Sequence, residues 1–189
     1  MAKTVSTKIR NSDFDFENSP IRVLANRNLK EIQLPGLTVG PLEEGNEYDV
    51  EYWIARQLVR SGVARFREEE MLDASKLYKI QWKERVQRVR QVSKLPDNFY
   101  PKLRRCIEEM RETMNEKKEK MQEYEKMKQA AQDIIVSRLK KTVSLASAPA
   151  QTQQFLGSLT SEEKFLYEEI NKLVSEWRSE ILKNEEEQK

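Results

Sequence analysis

The chain has 189 residues, 34 of them basic and 32 acidic, with no histidine and one cysteine. That length holds one domain or two small ones, and 35% charged over 38% hydrophobic residues suits exposed helices around a modest core, or helices that bury surface only in a partner. A net charge of +2 excludes strong long-range attraction of the whole chain to nucleic acid and leaves room only for a local basic face.

The lack of histidine removes the usual general base and the commonest metal ligand. Cys106 has no partner for an internal disulfide or a CxxC zinc site, and beside Ile107 it reads as a small apolar helix residue. No apolar run approaches the ~20 residues that span a bilayer. The first residues lack the apolar core of a signal peptide. A soluble, cytoplasmic chain without membrane contact is expected.

Residues 1–20 are polar without clear period and are expected to form a flexible tail. Phe14 and Phe16 alternate there with Asp13 and Asp15, as in a short strand or a partner-binding tail. From Ile21, the runs IRVLA, KEIQL and LTV are too short for helices and are separated by the turn formers NRN, Pro35-Gly36 and Gly40-Pro41. Asp49 is placed to cap a following helix. In that helix Tyr52, Ala55 and Val59 share a face, with Ile54 and Leu58 beside it, and Gly62 ends it. Val63–Phe66 returns as a strand. Residues 21–67 thus read as a small β-rich domain whose candidate core is Trp53, Ala55, Leu58 and Val59. A unit this small barely buries a core alone and is expected to dock.

From about Glu68 the pattern is helical, giving a second domain over 68–189. Leu72, Leu77, Ile80, Val86, Val89 and Val92 make an irregular stripe. Lys94-Leu95-Pro96 breaks it, and Asp97 or Asn98 is placed to cap a helix carrying Phe99, Leu103, Ile107, Met110 and Met114. A thin seam through Met121, Tyr124 and Met127 thickens at Ile134, Leu139 and Val143. Lys117 and Lys128 interrupt it, which favours a helical hairpin over a coiled coil. A linker is expected near 146–158. Thr160-Ser161-Glu162-Glu163 is a capping box that opens a helix with Leu166, Ile170, Leu173, Val174, Trp177 and Ile181 on one face.

Phosphate-loop, dinucleotide, nucleophile-elbow and zincin motifs are missing, so no enzyme and no cofactor is expected. Adjacent acids such as Glu68-Glu69-Glu70 do not share a helix face and make poor metal sites. What remains is a binding surface. Trp53, Trp82, Tyr100 and Trp177 fill a core or anchor an interface. Basic stripes at Lys83-Arg85-Arg88-Arg90 and Lys102-Arg104-Arg105 keep a nucleic-acid contact open.

Taken together in this order, several motifs resemble a subunit of the GINS complex. LTVGPLEEGNEYDVEYWIARQLVRSGVARF is similar to that family's β-rich B domain. KLPDNFYPKLRRCIEEM, IIVSRLKKTVSLA and LTSEEKFLYEEINKLV are similar to helices of its A domain. The resemblance implies a mainly α fold with a small β-rich N-terminal domain and a GINS-like helical A domain. With B before A, it is similar to the Psf-two/Psf-three branch in its archaeal form. It further implies a non-catalytic scaffold at replication forks that joins a second GINS subunit type in a two-plus-two tetramer. That tetramer would bridge and activate the MCM helicase with a RecJ-like partner, with weak or indirect DNA contact. Phe99, Tyr100, Leu103, Ile107, Leu139 and Val143 become core or subunit-interface candidates, and Arg138, with Lys141, a candidate for charged pairing rather than for DNA. The alternative is a coiled-coil adaptor or chaperone acting through residues 107–145.

Overall fold

A computed structural model describes residues 5–87, 92–116, 120–148 and 153–183. The chain divides into two compact units. One covers residues 10–72, and the other covers residues 73–189 with the first nine residues.

The smaller unit is built on an antiparallel sheet. Strand β1 (Pro20–Ala25) lies between β4 (Glu47–Glu51) and β5 (Ala64–Phe66), pairing Val23 with Tyr48 on one side and with Phe66 on the other. Alternation along β1 turns Ile21, Val23 and Ala25 inward, as a half-buried strand requires. A hairpin of β2 (Ile32–Leu34) and β3 (Leu37–Val39) turns at Pro35-Gly36, and Gly36 takes the positive φ of 80° that this turn needs. Helix α2 (Tyr52–Arg60) follows β4 directly and ends at Gly62, whose φ of 71° is the left-handed stop expected there. Tyr52, Ile54, Ala55 and Leu58 are buried with Ile21, Val23, Leu42 and Val63.

Four features differ from the sequence expectation. The N-terminal tail is helix α1 (Val5–Glu17), because Phe16 packs its ring 4.4 Å from that of Tyr52 and becomes core. Asn18 and Ser19 then donate to the carbonyls of Phe14 and Phe16 and close that helix. Asp49 caps nothing. It lies in β4 with its carboxylate on Arg22, and the Tyr52 amide donates instead to the Ser19 carbonyl. Trp53 is 42% exposed and is not core, since its neighbours Tyr52 and Ile54 take the inward positions; Val59 is half-buried. The long helical region starts at Ala74 rather than Glu68, where the Asp73 side chain accepts from the Lys76 amide.

The larger unit contains α3 (Ala74–Val86), α4 (Phe99–Glu116), α5 (Met121–Ala146), α6 (Gln153–Leu156) and α7 (Ser161–Lys183). Helix α5 packs against α3, α4 and α7. It can do so because small and aliphatic residues, Ala130, Ala131 and Ile134, line its buried face. Phe99, Leu103 and Leu77 meet this core from the neighbouring helices. Residues 107–145 therefore belong largely to α4 and α5, which pack on each other within the chain. Within the segment expected as a linker, Gln153–Leu156 form α6, and Leu159 just after it is buried against Val92 and Leu145. Residues 149–152 lie outside the described residues, as do Lys117, Val89, Arg88 and Arg90.

Candidate interaction site around a buried charge cluster

Helix α5 carries two cations on its buried side, Arg138 and Lys141, one turn apart. Burying a charge is tolerable only with a partner and with every donor satisfied. Arg138 meets both conditions. Its Nε and Nη2 donate to the two carboxylate oxygens of Glu163 at 2.8 and 2.6 Å. Its Nη1 donates to Glu84 Oε1 at 3.3 Å and to the Ser93 carbonyl at 2.7 Å, and Nη2 also reaches the Ser158 carbonyl at 3.2 Å. All five guanidinium hydrogens thus have an acceptor. Lys141 donates to Glu84 Oε2 at 2.7 Å, and the Ser93 hydroxyl donates to Glu84 Oε1 at 2.8 Å. Two cations face two carboxylates, so the cluster is neutral.

Sequence chemistry places each partner. Glu163 is the capping-box acid of α7. Its own amide donates to Thr160 Oγ1, and its Oε2 accepts from the Thr160 amide at 3.0 Å. The same carboxylate accepts from Tyr100 of α4, whose hydroxyl donates at 2.7 Å. Glu84 lies seven residues after Leu77, on the inward face of α3. The cluster therefore pins α3, α4, α5 and α7 through side chains distant in sequence.

Electrostatics fit a structural pin rather than a proton carrier. Burial acts to lower the Arg138 pKa, but the Glu163 hydrogen bonds and the charges of Glu163 and Glu84 outweigh it and hold Arg138 above its ordinary value. Burial likewise acts to raise Glu163, and Arg138, the Thr160 amide and the Tyr100 hydroxyl together hold it below the usual carboxylate range. Burial first, and then the Glu163 charge, push the Tyr100 phenol far above its usual value, so it stays protonated and donates. Cys106 is half-buried, and burial, then Glu109 and Asp73, push its thiol up to about 11. A thiol so placed is protonated near neutral pH.

These shifts fix a pH profile. Glu163 is depressed, so its contribution is complete above about pH 4.3 and is lost as pH falls through its lower folded value. Tyr100 is raised, so its contribution is complete below about pH 10 and is lost as pH rises further. The raised Cys106 thiol adds a contribution that is lost as pH rises from about 8.5 through about 11, so thermal midpoints measured against pH are expected to be flat from about pH 4.3 to about pH 8.5 and to fall outside that window. Glu163→Gln should flatten the acid limb. An acid limb unchanged by that substitution would show that other carboxylates set it.

The residues singled out from sequence separate into two sets. Phe99 and Leu103 are core, Ile107 is half-buried, Tyr100 is half-buried on the cluster, and Arg138 is 1% exposed inside it. Leu139 and Val143, on an adjoining face of α5, are exposed together with Ile135 and Val136. Ile135 and Leu139 also line a hollow of about 290 Å³ with Val5, Ile9, Phe165 and Leu166, at whose edge stand Tyr100 and Glu163 of the cluster. The outer half of α7 leaves Leu173 66% and Trp177 63% exposed, with Ile181 beyond them. The stripe Lys102-Arg104-Arg105 is half-buried, with Arg104 near Glu162 and Arg105 paired to Glu108. Glu84 and Ser93 were not singled out from sequence. The available signal was a lone acid at the i+7 position from Leu77 in an otherwise basic helix. Among the described residues, no group of three or more histidine, cysteine or acidic side chains has metal-binding geometry, and no helix is long and apolar enough to cross a membrane.

The span holding this cluster matches a known family. The model of the GINS complex protein helical bundle domain (Sld5) matches residues 71–182, more than half of the chain. This chain belongs to the GINS complex protein family. The GINS match runs from just before α3 into the last turn of α7 and includes Glu84, Arg138, Lys141 and Glu163. Family membership makes the chain a subunit of a DNA replication complex, a helical-bundle protein that assembles with other GINS subunits. No curated protein matches the chain.

Proposed function

We propose that this chain is a non-catalytic scaffold of the Psf-two/Psf-three branch that joins a second GINS subunit type in a two-plus-two tetramer. The carrying observation is a division of labour on α5. Its two buried cations, Arg138 and Lys141, are spent on Glu84 and Glu163 inside the bundle, while Ile135, Leu139 and Val143 stay partly exposed on an adjoining face of the same helix. Exposed aliphatic and aromatic side chains on α5 and α7 offer surface to a partner subunit and offer nothing to a substrate. The β-rich unit precedes the helical bundle in the chain, which supports the B-first branch.

The tetramer would bridge and activate the MCM helicase with a RecJ-like protein at replication forks, in the cytoplasm of a cell without a nucleus or in the nucleus of one that has it. The test is retention. Immobilised MCM helicase should hold the RecJ-like protein only when the complex containing this chain is added. Equal retention without it would overturn the bridging role.

A further inference from the structure

We propose that the outward face of α3 is a binding platform for single-stranded nucleic acid. Leu77 and Glu84 set the inward face of α3. The opposite face brings together Tyr78, Trp82 and Val86 at the i, i+4, i+8 spacing of one helical stripe. Trp82 is 68% exposed, and Tyr78 and Val86 are exposed beside it. Tyr78 and Trp82 stand about 6 Å apart along the axis, so an unstacked strand can lay a base on each ring.

Charge decides the occupant. Glu84 is the one carboxylate in the sequence of α3, and it is spent inside on Arg138 and Lys141. Lys76, Lys79, Lys83 and Arg85 therefore flank the aromatic stripe without an outward acid on the same helix. Two of them have acidic neighbours on adjoining segments. Lys76 is 3.9 Å from Asp73, and Arg85 is 3.8 Å from Asp133. Lys83 also lines a hollow of about 380 Å³ shared with Ser93, Leu95 and the Lys94–Asp97 ion pair, which adds no net charge at the edge of the stripe.

A protein partner fits this face poorly, because lysine is depleted from the cores of protein interfaces. The outer face of α7 differs in kind, since its exposed Trp177 sits among charges of both signs, such as the Lys172–Glu176 pair. Exposed rings for stacking, bordered by cations for phosphates, suit a single strand, whose bases are free to stack. A net charge of +2 implies modest, salt-sensitive affinity rather than tight binding.

The test is fluorescence anisotropy of a labelled oligothymidylate with the full chain, alone and assembled with a partner GINS subunit. Binding is expected in both forms and should weaken steeply with salt. Trp82→Ala should weaken it about 5- to 140-fold. Lys79→Gln with Lys83→Gln should lower the log–log salt slope by about 1.4. Circular dichroism of each variant should match the wild type, since these side chains are exposed. No binding at low salt, or wild-type binding by Trp82→Ala, would overturn the proposal. So would binding by the free chain that vanishes on assembly, which would assign this face to a protein partner.

Discussion

Arg138→Met is expected to lower the unfolding free energy of the helical unit by about 3–5 kcal/mol. The magnitude follows from what the substitution leaves behind. Methionine fills much of the volume, but Glu163 loses both strong donors, and Glu84 keeps only Lys141 and Ser93. A buried carboxylate without its cation costs far more than an exposed one, because desolvation is no longer offset. Arg138→Lys keeps the charge but has three donors in place of five and cannot fork across Glu163, so it should recover only part of the loss. Pairing Arg138→Met with Glu163→Gln removes the orphaned charge and should cost less than the sum of the two single changes. Urea denaturation followed by far-UV circular dichroism reads all of these. An Arg138→Met midpoint equal to wild type would show that the cluster contributes no stability.

Trp177→Asp is expected to weaken assembly with the partner GINS subunit by at least 30-fold while leaving the bundle folded. Trp177 is exposed on α7, so its removal costs the isolated chain little. At the centre of an interface a buried tryptophan is a frequent hot spot, worth about 2 kcal/mol or more, which sets the fold-change. Leu139→Asp makes the same test on α5, where Leu139 is exposed beside Ile135 and Val143. Affinity measured by titration calorimetry checks both. Wild-type affinity in both variants would move the interface to another face of the molecule.

The sequence made the two-unit order, the capping box and the closing helix readable, because each rests on local chemistry. Thr160 and Glu163 are three residues apart, and their reciprocal bonds need nothing from the rest of the chain. Long-range chemistry was less legible. Arg138 and Lys141 could be read as pairing residues, but Glu84 meets Arg138 from 54 positions away and sits between Lys83 and Arg85. In the sequence it looks like one more charge in a solvated run. Only the helical phase set by Leu77 turns it inward.

The errors have the same origin. Asp49 has the chemistry of a cap, yet β4 runs on to Glu51, and tertiary pairing with Arg22 claims its side chain. Helix α1 was hidden because its anchor, the Phe16–Tyr52 contact, spans 36 positions of sequence. Trp53, a core candidate from sequence, is exposed because Tyr52 and Ile54 on either side of it hold the inward phase.

The most direct test of the scaffold function is the mass of the purified chain in solution, alone and mixed with a GINS subunit whose helical domain comes first. A stable two-plus-two assembly is expected on mixing. A monomer or an elongated homodimer whose mass is unchanged when the partner is added would contradict it.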